Sequence, residues 1–179
     1  MGFVTALLDG ANLPGEVHTQ LLECLRDKKT HELVRLCEEA GAGPALAKGL
    51  CALIELCGSP AKVLQQAKAL VRGSAMNDAL AELSDLCNAL GSKAQLVQLD
   101  LSLVNDIDYY NGLVLRGYLA GVPRPVLQGG RYDPLAERFA PGAKAIGFAL
   151  YLDDLFSAPK APAGQASAAA PMLSIALPK

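Results

Sequence analysis

Two periods of apolar positions divide the chain. Up to about residue 92 the apolar residues recur every three or four positions, which gathers them on one side of an α-helix. Val17, Leu21, Leu22 and Leu25 form the first stripe. Thr30 is a candidate cap for a second helix, which carries Leu33, Val34 and Cys37 and stops near Gly41. Pro44 suits a first helical position, where its missing N–H costs no helical hydrogen bond. Leu46, Leu50, Leu53 and Cys57 follow it, and Gly58 is the expected stop. Ser59 and Pro60 read as the N-cap and first-turn proline of a segment that reaches Val71. A last stripe carries Leu80, Leu83, Cys87 and Leu90 and ends at Gly91. Stripes of this kind are packing surfaces.

From Ala94 the period falls to two. Val97, Leu99, Leu101 and Leu103 alternate with Gln98, Asp100 and Ser102, the pattern of a half-buried strand. A second strand is expected over Leu113 to Leu119, broken by Gly121-Val122-Pro123, with Arg124 to Gln128 returning antiparallel. Pro125 assigns that return to an edge or a bulge, because proline cannot donate to a ladder. Pro134 opens a short helix through Phe139, Ala145 to Ala149 reads as a strand, and Leu150 to Phe156 as a helix. The pattern gives an α+β chain: a helical subdomain over 1–92 and an antiparallel sheet domain over 93–156. A linker of Ala, Pro, Gly, Ser, Gln and Lys spans 157–171, and a truncated strand-like tail fills 172–179.

At 179 residues the chain has room for one good core or two small domains. It is 51% hydrophobic and 19% charged, which makes it globular and rather apolar. A net charge of −2 without a basic block argues against a nucleic-acid partner. The five cysteines are odd in number and contain no C-x-x-C pair, so they read as buried thiols in a reducing, cytoplasmic setting. His18 and His31 are the only histidines, and no ligand spacing suggests a metal; no cofactor is expected either. Gly2 to Leu8 is too short for a signal peptide. No apolar run reaches the ~18–20 residues of a membrane span.

The candidate chemistry lies late in the chain. All five tyrosines fall between positions 109 and 151, three of them in two polar clusters. The first is Asp106-Ile107-Asp108-Tyr109-Tyr110-Asn111-Gly112, the second Gln128-Gly129-Gly130-Arg131-Tyr132-Asp133. Tyrosine brings a flat apolar ring and a hydroxyl that donates and accepts. Paired glycines let a backbone turn sharply or approach a ligand closely. The second cluster also reads as a tight turn with a surface pair between Arg131 and Asp133. Tyr109 and Tyr110 point to opposite faces of an extended chain, and Tyr110 is assigned to the cavity with Asp108 and Gly112. The absence of a histidine after His31 and of a serine in either cluster argues against a hydrolase triad.

Asp-Tyr-Tyr-Asn-Gly before a strand, then Gly-Gly-Arg-Tyr-Asp, then Ala145-Ile146-Gly147-Phe148-Ala149-Leu150, in that order, resembles the histidine-binding half of histidyl-tRNA synthetases. The resemblance implies part of the antiparallel sheet of a class II synthetase, with the first two motifs forming a histidine pocket and the third lying in motif 3. Two departures stand out. The arginine-glycine that usually precedes the first motif is replaced by Asn105 and Asp106, and the Glu-Arg-Leu that ends motif 3 by Asp153, Asp154 and Leu155. The lost arginines are the ones that serve ATP in that family, so a carboxylate is expected to face the place of a triphosphate.

A pocket without ATP machinery resembles the regulatory subunit family of ATP phosphoribosyltransferase. Thr5 to Pro14 and the paired helices after it resemble the segment between the two halves of that family's synthetase-like core. The resemblance implies no catalytic residues and a histidine site of Tyr110, Tyr132, Asp108, Gly129, Gly130 and Arg131. It implies a catalytic subunit as partner, histidine as effector, and a homo-oligomer at full length. Leu173 to Lys179 resembles the opening strand of that catalytic subunit, and reads equally as a generic strand. The family's N-terminal strands lie outside this sequence, so an exposed apolar face or edge is expected. Two rivals remain. One is a fragment of a histidyl-tRNA synthetase. The other is a helical interaction module, whose two clusters would lie far apart.

Overall fold

The computed structural model describes residues 3–103, 110–157 and 172–176. The helices come first: α1 (Phe3–Asp9), α2 (Gly15–Arg26), α3 (Thr30–Glu39) and α4 (Gly43–Glu55). A two-residue strand β1 (Cys57–Gly58) follows, then α5 (Pro60–Ala67) and α6 (Ser74–Leu90). A six-residue 3-10 turn leads to β2 (Val97–Asp100), β3 (Val114–Tyr118) and β4 (Leu127–Arg131). The chain continues through α7 (Asp133–Glu137), β5 (Ile146–Leu150), α8 (Leu152–Ser157) and β6 (Met172–Ala176).

The apolar stripes pack as their period requires. Leu21, Leu25, Leu33, Cys37, Leu50, Leu53, Val63, Met76 and Leu83 are buried together, and the same core continues into Val97, Leu99 and Leu101. Pro44 and Pro60 sit in the first turns of α4 and α5, with Ser59 as N-cap. Gly91, at φ 53, closes α6. Other boundaries differ from those read in the sequence. Thr30 is the first residue of α3, not its cap, because Lys28 at φ 55 turns the chain just before it. The helix expected to reach Gly58 ends at Glu55, since Cys57 and Gly58 pair with Asp100 and Leu99. Helix α1, seven residues long, carried no stripe to announce it.

The strand read as running to Leu103 stops at Asp100. Its carboxylate Oδ1 accepts hydrogen bonds from Ser102 N (3.0 Å) and Ser102 Oγ (2.6 Å), which folds the backbone into a turn. The other carboxylate oxygen accepts from Lys28 Nζ at 3.2 Å. The return strand lies three residues later than Arg124–Gln128. Pro123 and Pro125 supply no N–H, and ladder bonding begins where Val126 N reaches Gly117 O at 2.8 Å. Gly129 and Gly130 are therefore within β4 and form no turn.

The sheet order is β1-β2-β6-β3-β4-β5. Every described pairing is antiparallel except β2 with β6, which is parallel. One sheet face carries Val97 and Leu99 against the helical layer. On the edge strand β5 the same face is uncovered: Ile146 is 59% and Phe148 68% exposed, with Leu150 beside them. This is the exposed apolar edge that the sequence led us to expect.

Cys24, Cys37, Cys51, Cys57 and Cys87 are free thiols, and burial pushes all five up from the ordinary thiol value. A thiol whose folded value is raised stabilises the fold fully below its unfolded value. That contribution is lost as pH rises toward the folded value. The urea midpoint should accordingly fall between about pH 7.5 and 9.5, across the unfolded thiol range. A midpoint that holds steady there contradicts thiol burial.

Candidate functional site

Tyr110 to Gly112 and Gln128 to Asp133, distant in sequence, meet at one corner of the sheet. Asn111 N donates to Arg131 O and Arg131 N to Leu113 O, each at 2.8 Å. Asp133 N donates to Asn111 Oδ1 at 2.9 Å, and Ala145 N to Asp133 Oδ1 at 3.0 Å. The clusters are adjacent, which removes the reading in which they are separate surface turns. Asp108, Tyr109, Asn105 and Asp106 lie outside the described residues, as do residues 158–171 and 177–179.

Register sorts the candidates onto two faces. Gly130 is opposite Val114 on one side and Gly147 on the other, and these share a face with Tyr132. A Cβ at Gly130 would lie 2.8 Å from the Tyr110 ring, and one at Gly147 3.0 Å from the Tyr132 hydroxyl. The two glycines thus form a floor on which the two rings settle. The ring centroids are 6.4 Å apart and the planes are tilted by 56°. Both tyrosines are half-buried. Gln128 and Arg116, paired in register, extend the same face.

Gly129 and Arg131 fall on the opposite face. A Cβ at Gly129 would meet the β5 backbone, 2.7 Å from Phe148 Cα. The Arg131 guanidinium ion-pairs with Glu82 of α6, donates from Nε to Asn111 O at 3.2 Å, and lies 3.5 Å from Asp133 Oδ2. It also occupies the space over Gly112, which at φ 83 brings its backbone in with no side chain to clash. Of the residues singled out from sequence, Tyr110, Gly130 and Tyr132 share one face of the sheet corner. Gly129 and Arg131 brace it from behind. The sequence reading did not single out Gly147, Gln128, Arg116, Asn111 or Glu82. Gln128 and Asn111 lay inside the quoted clusters and were legible as polar neighbours; Glu82 was not.

A cleft of about 650 Å³ opens beside Gln128, lined by Arg124, Pro125, Gln128, Tyr151, Asp153 and Asp154 among others. Asp154 is 8% exposed. Arg124 donates to its Oδ1 from Nε at 2.8 Å and from Nη2 as well. The hydrogen bond to Asp154, and its charge, push the Arg124 pKa up from its ordinary value. The carboxylate expected to stand open toward a triphosphate is thus already matched by an arginine. Among the described residues no group of three His, Cys, Asp or Glu converges on a metal position, and no helix is long and apolar enough to cross a membrane.

The mixed helix and antiparallel-sheet fold, with this corner between β3, β4 and β5, is that of class II synthetase-like proteins. The histidyl-tRNA synthetase family model matches residues 1–155, and the chain belongs to that family. Among curated relatives, an ATP phosphoribosyltransferase regulatory subunit from Polynucleobacter necessarius is 36% identical over 155 residues, covering 84% of this chain and 39% of the relative. One of the same description from Oceanobacillus iheyensis is 27% identical over 158 residues, covering 87% and 39%. Among solved structures, an ATP phosphoribosyltransferase regulatory subunit/histidyl-tRNA synthetase from Bacillus halodurans superposes with a TM-score of 0.74 at 30% identity, over 85% of this chain and 40% of that one. A histidine–tRNA ligase subunit from Alicyclobacillus acidocaldarius gives 0.67 at 28%, over 87% and 50%. The chain spans about two fifths of the length of the curated relatives it matches.

Proposed function

We propose that this chain is part of a non-catalytic regulatory subunit of ATP phosphoribosyltransferase, supporting the first step of histidine biosynthesis and sensing histidine. The names of its relatives support the regulatory role. The observation that carries the ligand is the pair of tilted tyrosine rings over the Gly130–Gly147 floor. Imidazole is flat, apolar on its faces and hydrogen-bonding at its edge. A pocket of phenol rings with hydroxyl tips suits it on all three counts. Tyr110 and Tyr132 contact the imidazole and the amine, while Gly129, Gly130 and Arg131 shape the pocket and Asp108 completes it. The subunit acts in the cytoplasm, joins a catalytic subunit, and assembles with its own kind through its complete form.

The reading as a synthetase fragment requires a cation free for ATP in the cleft beside Asp154. Arg124 is the cation there, and it is paired with Asp154. The test uses the protein that carries this chain together with the rest of the family domain. Calorimetry should register histidine binding, and histidine should drive no exchange of pyrophosphate with ATP. Measurable exchange restores the synthetase; absence of histidine heat removes the sensor.

A further inference from the structure

Strand β6 has an unusual position. It lies beyond residue 155, where the family match ends, yet it occupies the middle of the sheet. Val97, Gln98 and Leu99 of β2 pair in parallel with Leu173, Ser174 and Ile175. Residues 114–118 of β3 pair antiparallel with 172–176 on its other side. β2 and β3 do not pair with each other. They stand two inter-strand spacings apart, about 10 Å, with one strand's width between them. Without β6 the sheet falls into a β1-β2 ribbon and a β3-β4-β5 sheet, each with an unpaired edge facing the gap.

The family match over residues 1–155 takes in both β2 and β3. The two strands that flank the slot therefore lie within the family match, while the strand that fills it here lies outside it. In the relatives the same slot needs a filling strand too, since two facing rows of backbone N–H and C=O cannot stay open inside a sheet. About three fifths of each relative's length has no counterpart in this chain, and it is available to supply that strand.

We infer that the gap between β2 and β3 is a strand-acceptor slot. Its family occupant is an extended segment from the part of the family domain this chain does not span, and Met172–Ala176 is a replaceable stand-in. The recognition is backbone pairing on both sides, parallel to β2 and antiparallel to β3. An incoming strand must displace the tail, so the tail competes with assembly of the complete domain. The inference does not depend on which ligand the tyrosine pocket takes.

Ser174→Pro in the full chain is the test, because a proline in a central strand removes a donor and breaks the ladder. Fluorescent peptides tiling the unmatched part of the Polynucleobacter necessarius relative, and a peptide of residues 171–179, are titrated against the variant and the parent. A contiguous run of tiles and the tail peptide should bind the variant at least about tenfold more tightly than the parent, and should compete with one another. Hydrogen exchange of residues 97–100 and 114–118 should quicken in the free variant and slow again with either peptide, while α2 to α6 stay protected. If Ser174→Pro also exposes the helices, the milder Ile175→Gly takes its place. Binding of the tail peptide alone would make the slot the tail's own and overturn the inference. So would the absence of any binding, or unchanged exchange in β2 and β3.

Discussion

Gly129→Ala should destabilise the protein by about 3 kcal/mol, at the upper end of overpacking costs, while Gly15→Ala changes stability by a few tenths at most. Gly129 is opposite Phe148 in the ladder, and a Cβ there would run into Gly147 O and approach Phe148 Cβ and Cα at 2.6 and 2.7 Å. Two of those three atoms are backbone, so no rotamer change relieves the clash. Strand β5 must move away from β4, which breaks the pairing that holds Gly147 against Tyr132. Gly15 opens α2 with nothing within 4 Å of its Cβ position, and alanine is the better helix former there. Urea unfolding of both variants measures the difference. Hydrogen exchange at 146–150 should quicken in Gly129→Ala alone. Stability of Gly129→Ala within about 0.5 kcal/mol of the parent would mean that β4 and β5 do not approach this closely.

The legible part of the fold was the part written in repeated spacings. Stripes of three or four such as Leu46-Leu50-Leu53 and Leu80-Leu83-Cys87 can satisfy only a helix, and α4 and α6 carry them. What escaped was decided by single residues or by contacts between distant ones. The alternation through Leu103 looked like one strand, but Asp100 folds its side chain onto Ser102 and ends it early. β1 is two residues long and exists because Leu99 and Asp100 lie beside it. The tyrosine clusters were visible as chemistry. Their sorting onto faces was not, because it depends on the register that seats Gly130 against Gly147 and Gly129 against Phe148. The same holds for ion pairs across long separations: Arg131 with Glu82, and Arg124 with Asp154, have no signature in local sequence.

The two arginine pairs give the corner its asymmetry. Arg131 ties β4 to α6 behind the sheet, and Arg124 ties the loop before β4 to α8 beside it. Between them the face of Gly130 carries Tyr110, Tyr132, Gln128 and Arg116.

On the proposed reading, Tyr110→Ala should shift histidine inhibition of the reconstituted phosphoribosyltransferase complex to at least about tenfold higher concentration, or about 1.4 kcal/mol of lost effector binding. The ring of Tyr110 lies against Gly130 and near Tyr132, so its removal takes away half of the proposed ring pair and leaves the sheet backbone in place. Linkage sets what else must follow. If histidine inhibits, it favours a state of the complex that binds substrate or its transition state less well. Weaker histidine binding then moves the inhibition curve and leaves uninhibited activity as it was. Assembly should persist as well, because Tyr110 packs on Gly130, on the face opposite the exposed apolar side chains of β5. The measurement is a histidine titration of phosphoribosyl transfer by the complex, with and without the substitution, after sedimentation has verified equal assembly. Superimposable inhibition curves would place the effector on the catalytic subunit and leave the tyrosine corner as a remnant of synthetase ancestry.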